Sequence, residues 1–97
     1  MMTDNKVYTI KMISGEEIVS RINKLEGMQE LVKPYTVMIS QQGYGLAPWM
    51  ATAPDSNCIV SDQAIVAAAE TDKSVAQQYI KQTTGVDVGP PSGLILG

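Results

Sequence analysis

Histidine is absent from the 97 residues, and cysteine occurs once, as Cys58. The first absence removes the commonest general base and the commonest zinc ligand together. The second excludes an internal disulfide and fits a reducing compartment. Basic charge is scarce. Seven Lys and Arg stand against ten Asp and Glu, a net charge of −3, whereas a dedicated nucleic-acid binder shows a basic domain or stripe. No apolar run approaches the roughly 18–20 residues of a membrane span, so no membrane partner is expected. The start, MMTDNKVYTI, lacks a basic segment followed by an apolar one, so no secretory signal is expected.

What remains is the composition of one globular domain spanning 1–97: 44% apolar and 18% charged. Charge is uneven along it. Residues 1–33 balance five bases (Lys6, Lys11, Arg21, Lys24, Lys33) with five acids, and residues 34–97 carry the whole excess of acid. Lys6, Lys11, Arg21 and Lys24 are therefore candidate basic contacts, set against the plainer reading of a solvated mixed-charge surface.

The periodicity is first that of strands. Val7–Ile13 alternates, with Tyr8, Ile10 and Met12 on one face and Lys11 on the other. Ser14-Gly15 supplies turn chemistry. A second strand, long and bent, follows, with Ile18, Ser20, Ile22 and Lys24 opposed to Val19, Arg21 and Leu25; Gly27 breaks it. Leu31–Ser40 predicts a third, with Val32, Thr36 and Met38 facing one way and Tyr35, Val37 and Ile39 the other. Pro34 donates no ladder bond, which places that end at an edge or bulge. Gln41–Ala53 suits an extended segment kinked at Pro48, and residues 54–57 a loop. Cys58–Val60, a turn at Ser61–Gln63 and a last strand at Ala64–Ala69 complete the β part.

Then the period changes. Asp72 is placed to cap a helix over Lys73–Thr84 with Val75, Ala76, Tyr79, Ile80 and Thr83 as its apolar stripe, and Gly85 to end it. Residues 86–97 read as a tail, with Leu94-Ile95-Leu96 apolar enough to want a partner surface. Short strands leave edges that must be closed, covered or paired with a neighbour, and a small barrel is the economical solution.

No constellation of catalytic residues emerges, and neither enzyme activity nor a cofactor or metal is expected. Glu16-Glu17 are adjacent on a hairpin and point to opposite faces. Gly43-Tyr44-Gly45 lacks the lysine and following helix of a phosphate loop. Cys58 has no histidine to activate it. Asp55, Asn57 and Asp62 lack the twelve-residue loop of a calcium site. Tyr44 and Trp49 suit core or inter-subunit packing, or else a binding patch.

Residues 7–70 resemble the Sm-like proteins, carried by SGEEIVSRINKLEGMQEL in place of that family's first motif and by Ile59-Val60-Ser61-Asp62-Gln63, followed by Ala64–Ala69, in place of its second. LAPWM at Leu46–Met50, YIKQTTGV at Tyr79–Val86 and the Pro/Gly tail are similar to Sm-like proteins of marine bacterial viruses. The resemblance implies a mainly β fold, a strongly bent five-stranded antiparallel Sm-like (SH3-like) barrel over 7–70, to which the change of period adds one carboxy-terminal helix at 72–85. Two departures stand out. Relatives begin with a helix, and here the helix comes last; the two motifs are also separated by the long Gln41–Asn57 insertion.

The resemblance further implies identical copies pairing their edge strands into a ring, in the cytoplasm of a virus-infected bacterium, with RNA or a viral or host protein as partner. In RNA-binding members a stacking side chain, an asparagine and an arginine clamp each base. Those places fall here on Met28, Glu30 and Val60. Methionine packs against a base without being an aromatic platform. Ionised glutamate only accepts hydrogen bonds and repels phosphate, and valine supplies neither charge nor hydrogen bond. Two expectations therefore stand side by side: a ring that binds RNA, and a structural or protein-binding ring that does not.

Overall fold

The computed structural model describes residues 6–85. The tail at 86–97, with its apolar Leu94–Leu96, lies outside the described residues. Six strands form one antiparallel sheet: β1 (Tyr8–Met12), β2 (Glu17–Leu25), β3 (Met28–Ser40), β4 (Gly43–Pro48), β5 (Cys58–Ser61) and β6 (Ile65–Glu70). A 3-10 turn at Asp62–Ala64 joins the last two, and a single helix, α1 (Lys73–Thr84), follows. The architecture is mainly β with one C-terminal helix, as the periodicities predict.

The strand order is β4-β3-β2-β1-β6, with β5 added beside β3. Two corrections to the five-stranded barrel follow. The Gln41–Asn57 stretch carries β4, an added strand that pairs with Tyr35–Ser40 of β3, while β5 after it pairs with Met28–Leu31. A loop separates the two. The sheet is also not closed by strand pairing within the described residues, since β4 and β5 pair only with β3, β6 pairs only with β1, and none of the three pairs with another. The third strand begins at Met28 instead of Leu31, because the β2–β3 hairpin needs only Glu26-Gly27 as its turn, with Leu25 opposite Met28.

Pro34 marks the pivot of the fold. Val19 pairs with Tyr35 but Arg21 with Val32, so β3 carries one extra residue opposite Ser20. Lys33 takes up that residue with φ of 47°, the one non-glycine residue in positive φ among those described. Such a bulge bends a strand and re-aims its side chains. The consequence corrects the expected faces: Val32 points with Arg21, whereas Thr36 points with Ile18, so the two do not share a side. The Val32 carbonyl, freed from the regular ladder, accepts from the Ser20 hydroxyl at 3.1 Å and from the Tyr79 hydroxyl.

Both faces of the sheet are apolar in their middle. The inner face gathers Ile10, Met12, Ile18, Ile22 and Leu31, none more than 5% exposed, with Trp49, Val60 and Ile65 around them. The outer face gathers Val7, Val19, Tyr35 and Leu46 under Tyr79, Val75, Ala76 and Ile80 of α1. Each fully buried side chain of this size contributes about 1.5–3 kcal/mol. The helix is fixed at both ends as its sequence demands. Asp72 accepts from the Ser74 N–H at 3.2 Å, and Gly85, with φ of 77°, donates to the Lys81 carbonyl at 2.9 Å. Lys33 Nζ reaches the Thr83 carbonyl at 3.2 Å, so the bulge and the helix C-terminus hold each other.

Candidate functional site

The β2–β3 hairpin and β5 carry the three residues implied by the Sm-like resemblance. Met28 stands opposite Leu25 on one side and Ser61 on the other; Glu30 stands between Asn23 and Ile59; Val60 stands opposite Gln29. Alternation along a strand therefore puts Met28 and Glu30 on the outer face with Ile59, and Val60 on the inner one. Met28 is 44% exposed beside exposed Leu25 and Ile59. Val60 packs against the inner cluster. The fold brings Met28 and Glu30 together and turns Val60 away from them.

Glu30 is held from two sides. Asn23 Nδ2 donates to one carboxylate oxygen and Asn57 Nδ2 to the other, each at 3.1 Å. Asn57 Oδ1 in turn accepts from the Lys33 N–H at 3.2 Å. The network ties the loop before β5 to the bulge in β3. It also leaves Glu30 with acceptor capacity only, an arrangement suited to a donor and hostile to phosphate. The one local signal of this clasp is an asparagine ending the 54–57 loop beside a strand; Asn23 and Glu30 meet it only through folding.

The candidate basic residues are dispersed. Lys11 lies on β1 and pairs with Glu17 at 3.7 Å, both half-exposed. Arg21 and Lys24, three apart on β2, face opposite sides of the sheet. Arg21 Nε is shielded from water without a hydrogen-bond partner, while its backbone N–H donates to the Tyr79 hydroxyl at 3.4 Å. Lys6 is exposed ahead of β1. No two of these four lie side by side on one face to make a stripe.

Tyr79 is the best-built polar group in the molecule. It is wholly buried, donates to Val32 O, accepts from Arg21, and meets Tyr35 edge-on at 5.9 Å between ring centres. Burial pushes its phenol pKa up from the usual range, partly opposed by the Arg21 contacts. These bonds are internal, so Tyr79 is a structural peg. Trp49 is another: it packs on the inner cluster, its N–H donates to the Pro34 carbonyl at 2.9 Å, and its indole N–H reaches Glu16 at 3.4 Å. Burial raises the Cys58 thiol pKa, which favours the thiol over the nucleophilic thiolate. Among the described residues there is no group of three or more His, Cys, Asp or Glu able to hold a metal.

The outer face offers two adjoining depressions. One, about 220 Å³, is floored by Ala67–Ala69 beside β6, with Lys11 and Glu17 at its rim. The other, about 240 Å³, runs past the N-terminus of α1 between Val75, Ile39 and Tyr44. They share Thr9 and Glu17, so they form one shallow furrow across the sheet. No helix of the described residues is long and apolar enough to cross a membrane. Neither a known protein family nor a curated protein matches the chain.

Proposed function

We propose that this protein is an Sm-like, ring-forming binding module, and that its ring makes its contacts with protein in preference to uridine-rich RNA. The observation that carries the reading is the strand order, in which β4, β5 and β6 each pair with a single neighbouring strand within the described residues. Exposed edges are sites of pairing with another chain. Six strands bent at the Ser20–Pro34 bulge, with a 3-10 turn before the last, suit an Sm-like barrel completed by neighbouring copies. The clasped Glu30, the inward-facing Val60 and the dispersed bases argue against the uridine pocket. The viral resemblance adds, as part of the proposal, a setting in the cytoplasm of an infected bacterium and a viral or host protein as partner.

Two measurements test this. Light scattering after gel filtration is expected to give a mass several times the 10.4 kDa of one chain. A single-chain mass at all concentrations overturns the ring. Fluorescence anisotropy with U-rich, A-rich and mixed RNA oligomers across a salt series is expected to show no binding below about 100 µM at low salt. Tight, steeply salt-dependent binding would instead restore the RNA-binding ring.

A further inference from the structure

We propose that Tyr44 of a second copy of this chain seats in the alanine-floored trough on β6, so that the β4 and β6 edges of the sheet recognise each other as knob and hole. This rests on the ring reading above and names the side chains by which one copy selects the correct edge of the next.

The trough exists because the outer row of β6 is made of alanine. Ala67 stands opposite Lys11 and Ala69 opposite Thr9, at the last strand of the sheet. A row of methyl groups beside an unpaired edge lacks the bulk with which cross-strand side chains usually support each other. The bulk is found at the other end of the same sheet. Tyr44 projects from β4 between Gly43 and Gly45, 44% exposed, with only Ile39 opposite it, itself 83% exposed. It stands on the outer face, in line with Leu46, so a sheet continued from β6 into a neighbour's β4 brings Tyr44 onto the alanine side. The two edges are six residues each.

Pairings between like edges are worse. Two β6 edges set alanine rows together and leave a gap. Two β4 edges bring tyrosine against tyrosine, and each carries Pro48, which donates no ladder bond. Of the pairings between these two edges, only the unlike one matches large with small, as packed interfaces require. Pairing unlike edges is a head-to-tail contact, the kind that produces a ring when the rotation closes. The Lys11–Glu17 pair at the rim gives the phenol hydroxyl polar partners, suiting a side chain with an apolar body and a polar tip.

The test is a swap in the full chain, followed by sedimentation velocity over a concentration series with circular dichroism as a check of folding. Tyr44→Ala and Ala69→Tyr are each expected to weaken self-association at least about tenfold, the loss expected on emptying or blocking a central anchor. The double variant Tyr44→Ala/Ala69→Tyr, with the knob moved to the other edge, is expected to associate again. So is an equimolar mixture of the two single variants, a recovery that mere misfolding would not give. Undiminished association of Tyr44→Ala overturns the knob while leaving the ring intact, and so does failure of both the swap and the mixture. A wild-type chain that stays single at every concentration overturns the ring itself.

Discussion

The two faces of the sheet solve the same problem differently. The inner face closes on itself: Ile10, Ile18, Ile22 and Leu31 are at most 1% exposed, and Trp49 and Val60 pack around them from the loop and β5. The outer face is covered only where α1 crosses it, above Val19, Tyr35 and Leu46. Beyond the helix, Ile39 and Tyr44 stand out at one end and Ala67–Ala69 lie bare at the other. One helix of twelve residues spans about 18 Å, too little to cover a six-stranded sheet. The first face holds most of the fully buried side chains, and the second leaves apolar surface exposed.

The sharpest way to break the comparison is at Tyr79. Tyr79→Ala removes the peg of the outer face and is expected to cost about 3–5 kcal/mol in urea unfolding. Helix circular dichroism and Trp49 emission should still change together, because β2 gives Val19 to one core and Ile18 and Ile22 to the other. Separate transitions would show that the faces fold independently.

A smaller effect tests the alternation at the proposed pocket. Val60→Arg thrusts a charge toward the inner cluster and is expected to destabilise by roughly 1–3 kcal/mol. Ile59→Arg, one residue away and 59% exposed, should stay within about 0.5 kcal/mol. Equal losses in urea titrations would mean that β5 does not present these two residues to opposite sides.

The smallest effect is in pH. Burial raises the Tyr79 phenol pKa in the folded chain, so the protonated hydroxyl is favoured by folding. Its contribution is fully present below the ordinary phenol value of about 10 and is lost as pH rises through the higher folded value. Wild-type stability is therefore expected to fall more steeply above about pH 10 than that of Tyr79→Phe, measured by thermal melts. Parallel curves would place the phenol in water.

Much of the fold was legible in advance. Asp72 and Gly85 bracket α1 at the residues their capping chemistry specifies, and alternation grouped Ile10 with Met12 in β1 and Ile18 with Ile22 in β2, sets that the fold joins in one cluster. Pro34 announced an irregularity in β3. The faces beyond it were misread because the extra residue is Lys33, in a conformation that lysine seldom adopts on its own account. The candidate site was less legible. Position alone suggested Met28, Glu30 and Val60, but the face Val60 meets depends on the register of β5, set by Gln29, 31 residues earlier, standing opposite it. The clasp on Glu30 joins Asn23 and Asn57, neighbours only after folding.

The sequence by itself determined the elements: turns, caps and apolar periods are local, and each is encoded by a few adjacent side chains. Tertiary structure decided what those elements expose. The Ser20–Lys33 bulge, the hydroxyl of Tyr79 on Val32 and the bare edges β4 and β6 arise from pairings between distant segments, whose geometry no window of neighbouring residues contains.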